Sequence, residues 1–205
     1  MQYRRDDRRF LLLPVIQSLL LASQSPRRKA ILQFLEVPFQ VVIPRDVSEE
    51  RRSNESPLNL VRRLALEKAK AVQRIYPTRW VLGADTVVVH GRKIYGKPQK
   101  HKDALTMLMK LQGGSHRVLT GAALVGPKGK KICHVGQARV YFKKISIEHM
   151  TRYVKTVEPY DKAGGYDIRG TARFWIKRLE GDYFTVMGLP VPWLMESFGK
   201  TVFRS

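Results

Sequence analysis

Apolar residues along this chain follow two spacings, which together predict interleaved strands and helices. Short apolar runs bounded by glycine, proline or polar residues are typical of strands. Seven such runs are present: LLLAS, FQVVIP, the two arms of WVLGADTVVVHGRKIYG, HRVLTGAALV, KKICHVGQARVYFKKI and YFTVMG. A Gly-Pro-Lys-Gly turn joins the fifth run to the sixth, which predicts an antiparallel meander.

Five segments have the spacing of an amphipathic helix. Two of them begin at a Ser-Pro pair, in which serine caps the helix and proline fits its first position. The five helices are predicted from Pro26 to about Glu36, from Pro57 to about Tyr76, from Asp103 to Leu111, after Ser146, and from Pro192 to about Phe198. The first is expected to pack through one face, formed by Ala30, Ile31, Phe34 and Leu35.

The predicted order of elements is β-α-β-α-β-β-α-β-β-α-β-α. Helices alternate with strands, as in α/β proteins, but the centre of the chain is a meander. This order favours a layered α/β or α+β fold with a mixed sheet over a purely doubly wound fold.

The length of 205 residues suits one large domain or two small ones, and we assign a single domain to 18–205. Residues 1–17 are interpreted as an N-terminal extension. They resemble a signal peptide only superficially, because Pro14 and Gln17 interrupt the apolar run. No apolar run approaches the ~20 residues of a membrane span.

Cys133 is the only cysteine, so no disulfide forms within the chain, and a reducing compartment, the cytoplasm, is expected.

The chain is strongly basic, with 38 Lys and Arg against 17 Asp and Glu and a net charge of +21. Such a charge favours anionic partners: nucleic acid, nucleotides or phosphorylated substrates. The cations are scattered, so a basic surface that only aids solubility is an alternative. Charge alone does not separate a nucleotide enzyme from an RNA-binding protein.

The turn between the first strand and the first helix has the geometry of an anion site, because a helix N-terminus presents free N–H groups. Ser23 and Ser25 add hydroxyl donors there. Arg27, Arg28 and Lys29 follow at once, although each cation near a helix N-terminus costs about 0.3–1 kcal/mol. A bound phosphate would reverse that penalty. The alternative is solvated arginines that tolerate it.

Lys68 lies on the apolar stripe of the second long helix, between Ala65 and Val72. It either extends to the edge of the buried face or reaches into a cavity that holds an anion. Its basic neighbours are interpreted as a solvated face: Arg62, Arg63, Lys70 and Arg74.

Asp85 stands in the apolar run VLGADTVVV, where a carboxylate is unfavourable unless it is paired or bound to a metal. It is predicted to be a metal ligand or the general base for a water molecule, with a structural turn cap as the alternative. The small residues before it are expected to let a ligand approach the backbone.

Acids, a base and a Gly-Gly pair lie close together between Glu158 and Tyr166, which indicates a site loop or a structural turn. Lys97 and Glu49 are weak candidates by themselves. The cations point to phosphates, and Asp85, Asp161 and Glu49 point to a divalent metal. Together they suggest metal-assisted attack of water on a phosphoanhydride.

These motifs, in this order, resemble the Maf family of nucleoside triphosphate pyrophosphatases. The resemblance covers roughly 19–200. It is carried by seven segments: LASQSPRR, ESPLNLVRRLALEKA, LGADTVV, GKP, HRVLTGAAL, EPYDKAGGYDIRG and VMGLP.

The resemblance implies a two-lobed, inosine-triphosphatase-like α/β fold, in which helices flank an elongated mixed sheet with a central cleft, usually as a homodimer. It implies a catalytic domain that hydrolyses a nucleoside triphosphate to the monophosphate and pyrophosphate with Mg²⁺ or Mn²⁺. Asp85 corresponds to the proton acceptor and, with Glu49, to the metal site. The phosphate-binding positions of the family map onto Ser23, Arg28, Lys68 and Lys97. Asp161 and Lys162 are expected to complete the substrate-binding cleft.

Three positions of the family are linked to base choice. Arg27 and Thr86 match the group that acts on dTTP and UTP, whereas Arg169 stands where that group usually has Gln. Gln both donates and accepts hydrogen bonds, but Arg only donates. Arg169 leaves the base preference open, with a pyrophosphatase for modified nucleotides as an alternative. The net charge of +21 keeps a second alternative open, a basic nucleic-acid-binding regulatory protein without turnover.

Overall fold

The computed structural model describes residues 19–198, so the extension assigned to 1–17 lies outside the described residues. This part of the chain forms seven strands: β1 Leu19–Ala22, β2 Phe39–Val41, β3 Val81–His90, β4 Lys93–Tyr95, β5 Ser115–Val125, β6 Lys131–Phe142 and β7 Ile176–Gly181. It also forms six α-helices: α1 Pro26–Phe34, α2 Pro57–Gln73, α3 His101–Leu111, α4 Ile147–Val154, α5 Tyr183–Met187 and α6 Val191–Ser197. Within 19–198, no helix has the length and apolar character needed to cross a membrane.

All seven strands belong to one mixed sheet. Its order is β2-β1-β3-β5-β6-β7, and β4 pairs with β3 beside this path. The pairs β1–β2 and β1–β3 are parallel, whereas the others are antiparallel. The structure therefore confirms the predicted α/β fold with a mixed sheet and a central meander.

Helices cover both faces of the sheet. Helix α2 packs on one face through a stripe of buried residues: Leu60, Val61, Leu64, Ala65, Ala69 and Val72. The other face carries two separate hydrophobic clusters, one around α1 and α6 and one around α3 and α4. Thr86 of β3 and Thr120 of β5 are paired on this same face, between the two clusters. This division agrees with the predicted two lobes.

Two glycines allow α2 to lie directly on the sheet. A Cβ atom at Gly121 would come within 2.1 Å of the Val61 carbonyl oxygen, and one at Gly83 within 2.2 Å of the Ala65 carbonyl oxygen. Gly83, two residues before Asp85, therefore gives space to the backbone of α2. The sequence had suggested that a ligand approaches the backbone here. This close contact brings the side chains of α2 within reach of β3.

The predicted strand YFTVMG is wrong, because this segment forms helix α5. Asp182 caps it by accepting hydrogen bonds from the N–H groups of Phe184 and Thr185, and Gly188 ends it with a φ of 112°. The seventh strand is instead the polar edge strand β7. The predicted face of α1 is also partly wrong: Leu32 is buried, whereas Phe34 is 71% exposed.

Candidate functional site

A gap in the sheet beside β3 forms a cleft. Strand β1 pairs with β3 only as far as Gly83, and β4 begins to pair with it at Val88. On this side of β3, positions 84–87 have no partner strand among residues 19–198. The cleft at this gap has a volume of about 1240 Å³. It is lined by nine of the predicted site residues: Ser23, Arg27, Arg28, Glu49, Lys68, Asp85, Thr86, Lys97 and Asp161.

Lys68 joins two carboxylates at one wall of the cleft. Its ammonium lies 2.7 Å from Asp85 Oδ1 and 2.5 Å from Glu49 Oε1. The side chains of Lys68 and Asp85 are only 12% and 13% exposed, whereas Glu49 is 65% exposed. Lys68 thus reaches into the cleft from α2, and its immediate partners are acids of the site.

The charge around Glu49 keeps this carboxyl ionised. Burial by itself raises its pKa, but the hydrogen bond from Lys68 and the charges of Lys68, Lys97 and Arg28 outweigh that effect and lower the pKa. Asp85 and Glu49 each have a second carboxylate oxygen beyond the one that Lys68 contacts. Two carboxylates and a space for phosphate oxygens are a donor set that fits Mg²⁺ or Mn²⁺. Within 19–198, no cluster of three or more His, Cys, Asp or Glu side chains is suited to hold a metal.

The loop that carries Glu49 is fastened to α2 by Arg63. The guanidinium of Arg63 binds both carboxylate oxygens of Glu55, at 2.7 and 2.9 Å, and the carbonyl oxygen of Glu50 at 2.9 Å. Its side chain is only 12% exposed, so the prediction of a solvated Arg63 is wrong. This hydrogen bonding from Arg63 lowers the pKa of Glu55 to about 2.

Arg28 forms a second cluster, across the cleft from α2. Its guanidinium donates to the Gly188 carbonyl at 2.9 Å, to Ser23 Oγ at 2.9 Å and to Thr86 Oγ1 at 3.1 Å. All three acceptors are uncharged, and desolvation lowers the pKa of Arg28 to about 10. The group therefore stays cationic at neutral pH and places a positive charge at the N-terminus of α1.

Hydrogen bonds between hydroxyl groups extend this cluster along one face of the sheet, from β3 to β5. Thr120 Oγ1 donates to the Thr185 carbonyl at 2.7 Å, so its single hydrogen is used there. Thr86 Oγ1, which accepts from Arg28, therefore donates to Thr120 Oγ1 at 3.0 Å. Thr120 was missed in the sequence, although it lies in the matching segment HRVLTGAAL.

A smaller cavity of about 20 Å³ adjoins the cleft, and Arg27, Thr86 and Ala163 line both spaces. Lys162 lies in this cavity and not in the cleft. Its ammonium contacts the carboxylate of Asp161 and lies 3.9 Å from Asp167. This places Arg27, Thr86 and Lys162 around one small space.

Arg169 lines neither space. Its backbone N–H donates to Asp167 Oδ1 at 2.9 Å, and its guanidinium contacts the same carboxylate at 3.3 and 3.4 Å. Asp167, which does line the small cavity, was missed in the sequence. A single acid in a loop carries no periodic signal, and its burial depends on contacts that are distant in sequence.

Comparison with known proteins identifies the family of this chain. A solved nucleoside-triphosphatase / dITP/XTP pyrophosphatase from Mycobacterium abscessus superposes with a TM-score of 0.40 and 19% identity, over 62% of this chain and 75% of that one. The dTTP/UTP pyrophosphatase of Geobacillus sp. (strain WCH70) is 44% identical over 176 residues, 86% of this chain and 94% of that protein. The dTTP/UTP pyrophosphatase of Symbiobacterium thermophilum is 44% identical over 191 residues, which cover 92% of this chain and 97% of that protein. A family model described as Maf-like protein matches residues 18–201, and the chain therefore belongs to the Maf family.

Proposed function

We propose that the protein hydrolyses a nucleoside triphosphate, dTTP or UTP, to the monophosphate and pyrophosphate. The observation that carries this proposal is the placement of Asp85 and Lys68 opposite Arg28 in one cleft. Both relatives described above, each 44% identical, are dTTP/UTP pyrophosphatases, which supports the same activity here.

The triphosphate binds against the cations of the cleft. Arg28 and Lys97 supply positive charge, and Ser23 supplies a hydroxyl. The first turn of α1 begins at Ser25 without a side-chain cap, so its amide N–H groups remain available to phosphate oxygens. With an anion in place, the helix dipole and Arg28 attract the same charge, which removes the penalty of a cation at that position.

Asp85 acts on the water molecule. Its carboxylate, held by Lys68, accepts a proton from the water, whose oxygen attacks the α-phosphorus in line with the leaving group. The bond from the α-phosphorus to the bridging oxygen breaks, and pyrophosphate departs with that electron pair. Because the groups are fixed by α2 and β3, positioning and charge stabilisation account for most of the rate increase.

Asp85 and Glu49 would hold a divalent metal, Mg²⁺ or Mn²⁺. Such an ion, when bound, would neutralise negative charge on the phosphates and so favour attack at phosphorus. In this arrangement the loop of Glu49, fastened through Arg63, brings the second carboxylate to the cleft. We also propose a cytoplasmic homodimer, in keeping with the single cysteine and the family resemblance.

The test is a substrate panel with Mg²⁺ or Mn²⁺, in which pyrophosphate release is followed for each nucleoside triphosphate and for modified nucleotides. The wild type is expected to act on dTTP and UTP, and Asp85→Asn to lose at least about a hundredfold in kcat. Glu148→Gln, which breaks an exposed ion pair on α4, is the control. Full activity of Asp85→Asn would exclude the base role. Salt-sensitive nucleic-acid binding without any pyrophosphate release would exclude the enzyme.

A further inference from the structure

The small cavity beside the cleft is lined by a buried acceptor, Asp167, which is not one of the three positions linked to base choice. Asp167 lines this cavity, and its side chain is only 8% exposed. Its carboxylate accepts one hydrogen bond from the backbone of Arg169 and two from its guanidinium. Burial by itself raises the pKa of Asp167, but these bonds and the nearby charge of Arg27 outweigh it and lower the pKa. The group is therefore an ionised carboxylate, which can only accept hydrogen bonds.

Arg27 lines the same cavity, and one of its donors has no partner among the described residues. Arg27 Nε is buried and makes no hydrogen bond within the described structure. Among residues 19–198, its guanidinium makes one hydrogen bond, from Nη2 to the Asp161 carbonyl at 3.5 Å. A buried N–H that lacks an acceptor is unfavourable, so an acceptor atom of a bound ligand is expected to complete it.

An adjacent acceptor and donor match the imide edge of a pyrimidine when ring atom N3 faces Asp167 and an adjacent carbonyl faces Arg27. Uracil and thymine present an imide, in which the ring N3–H lies between two carbonyl groups. Cytosine has the same size, but in this same orientation its N3 is an acceptor and would face the Asp167 carboxylate with no hydrogen between them. The cavity is large enough for about one water molecule, so the edge of the base enters it while the ring remains in the cleft.

We propose that Asp167 is the residue that selects the base: its carboxylate accepts the imide N–H of uracil or thymine, and Arg27 Nε donates to an adjacent ring carbonyl. Arg169 is a positioning residue, because it holds the carboxylate without lining the cavity. The pair of Asp167 and Arg169 thus supplies the acceptor that a lone arginine at position 169 lacks. This inference rests on the proposed pyrophosphatase function.

The test compares UTP with CTP, which differ at this edge and hardly in size. Values of kcat/KM for both are measured for the wild type, Asp167→Asn, Arg169→Gln and the control Glu148→Gln. The wild type is expected to prefer UTP. Asp167→Asn is expected to lower the UTP-to-CTP ratio about tenfold or more, since its amide can donate to cytosine N3 as well as accept from the imide N–H. Arg169→Gln is expected to lower the ratio less, and Glu148→Gln to leave it unchanged.

Binding of UMP and CMP, measured by calorimetry, separates this inference from the function itself. If the wild type releases no pyrophosphate but binds UMP over CMP in a manner that depends on Asp167, the enzyme proposal fails and the base-recognition proposal stands. If a folded Asp167→Asn keeps the wild-type ratios in turnover and in binding, the base-recognition proposal is overturned. Thermal unfolding establishes that each variant is folded. The side chain of Arg169 is 40% exposed, so Arg169→Gln is expected to fold. If Asp167→Asn does not fold, the UTP-to-CTP ratio of Arg169→Gln decides the question, and an unchanged ratio would overturn the proposal.

Discussion

The ammonium of Lys68 lies 2.7 Å from the carboxylate of Asp85, although one residue belongs to α2 and the other to β3. The contact exists because Gly83 and Gly121 let the backbone of α2 lie on the sheet. Lys68 therefore holds the carboxylate of Asp85 in place at the wall of the cleft.

Lys68→Met is expected to reduce kcat/KM by about a hundredfold, because Asp85 loses the group that orients it. The variant also loses the largest interaction that lowers the pKa of Glu49. The pKa of Glu49 then rises, so the acidic limb of the kcat/KM profile moves to higher pH. Lys70→Met, two positions along the same helix, is the matched control and should keep the wild-type profile. An unshifted acidic limb in Lys68→Met would contradict this coupling.

Gly121→Ala is expected to separate α2 from β5, since its Cβ would lie 2.1 Å from the Val61 carbonyl oxygen. Neither backbone can yield without moving an element, so both the free energy of unfolding and kcat/KM should fall. The control is Gly114→Ala, where the nearest atom lies 3.9 Å from the added Cβ. Urea unfolding and pyrophosphate release measure the two effects. A Gly121→Ala variant as stable as Gly114→Ala would show that the close packing is wrong.

Thr120→Val is expected to lower the free energy of unfolding by about 1–3 kcal/mol. The substitution preserves shape, but it removes the hydroxyl that donates to the Thr185 carbonyl and accepts from the Thr86 hydroxyl. Thr106→Val is the control, because this exposed hydroxyl bonds only the Lys102 carbonyl of its own helix. Chemical denaturation of both variants gives the comparison, and equal losses would refute the hydrogen bonds of Thr120.

The ion pair of Glu55 and Arg63 predicts a defined dependence of stability on pH. Hydrogen bonding lowers the pKa of Glu55 from 4.5 to about 2, so its contribution is complete above pH 4.5 and is lost as the pH falls towards 2. Glu55→Gln should therefore be less stable than the wild type at pH 7, with a difference that narrows between pH 4.5 and 2. Glu180→Gln, in an exposed pair, should show a smaller difference. A difference in stability between the wild type and Glu55→Gln that does not change with pH would disprove the pairing.

The sequence was sufficient where local rules decide the structure. Ser56 caps α2 as its Ser-Pro pair predicts, accepting the N–H of Asn59 at 3.2 Å, and the apolar stripe that follows placed Lys68 on the buried side. Helix α5 was missed because its short apolar run also suits a strand, and the capping by Asp182 outweighed that pattern. Strand β7 was missed because an edge strand with polar residues carries little hydrophobic alternation.

Contacts between distant segments explain what the sequence left open at the site. The family resemblance pointed to Arg169 but not to Asp167, which lines one cavity together with the distant residues Arg27 and Lys162. Likewise, Arg63 has the helical position of an exposed residue, and the returning loop of Glu50 and Glu55 buries it.

Hydrolysis in H₂¹⁸O tests most directly the central claim, that water attacks the α-phosphorus of a nucleoside triphosphate in this cleft. UTP or dTTP is turned over by the wild type, and both products are analysed by mass spectrometry. We predict one ¹⁸O atom in the monophosphate and none in the pyrophosphate. Label in the pyrophosphate, or release of orthophosphate and a nucleoside diphosphate, would contradict the account.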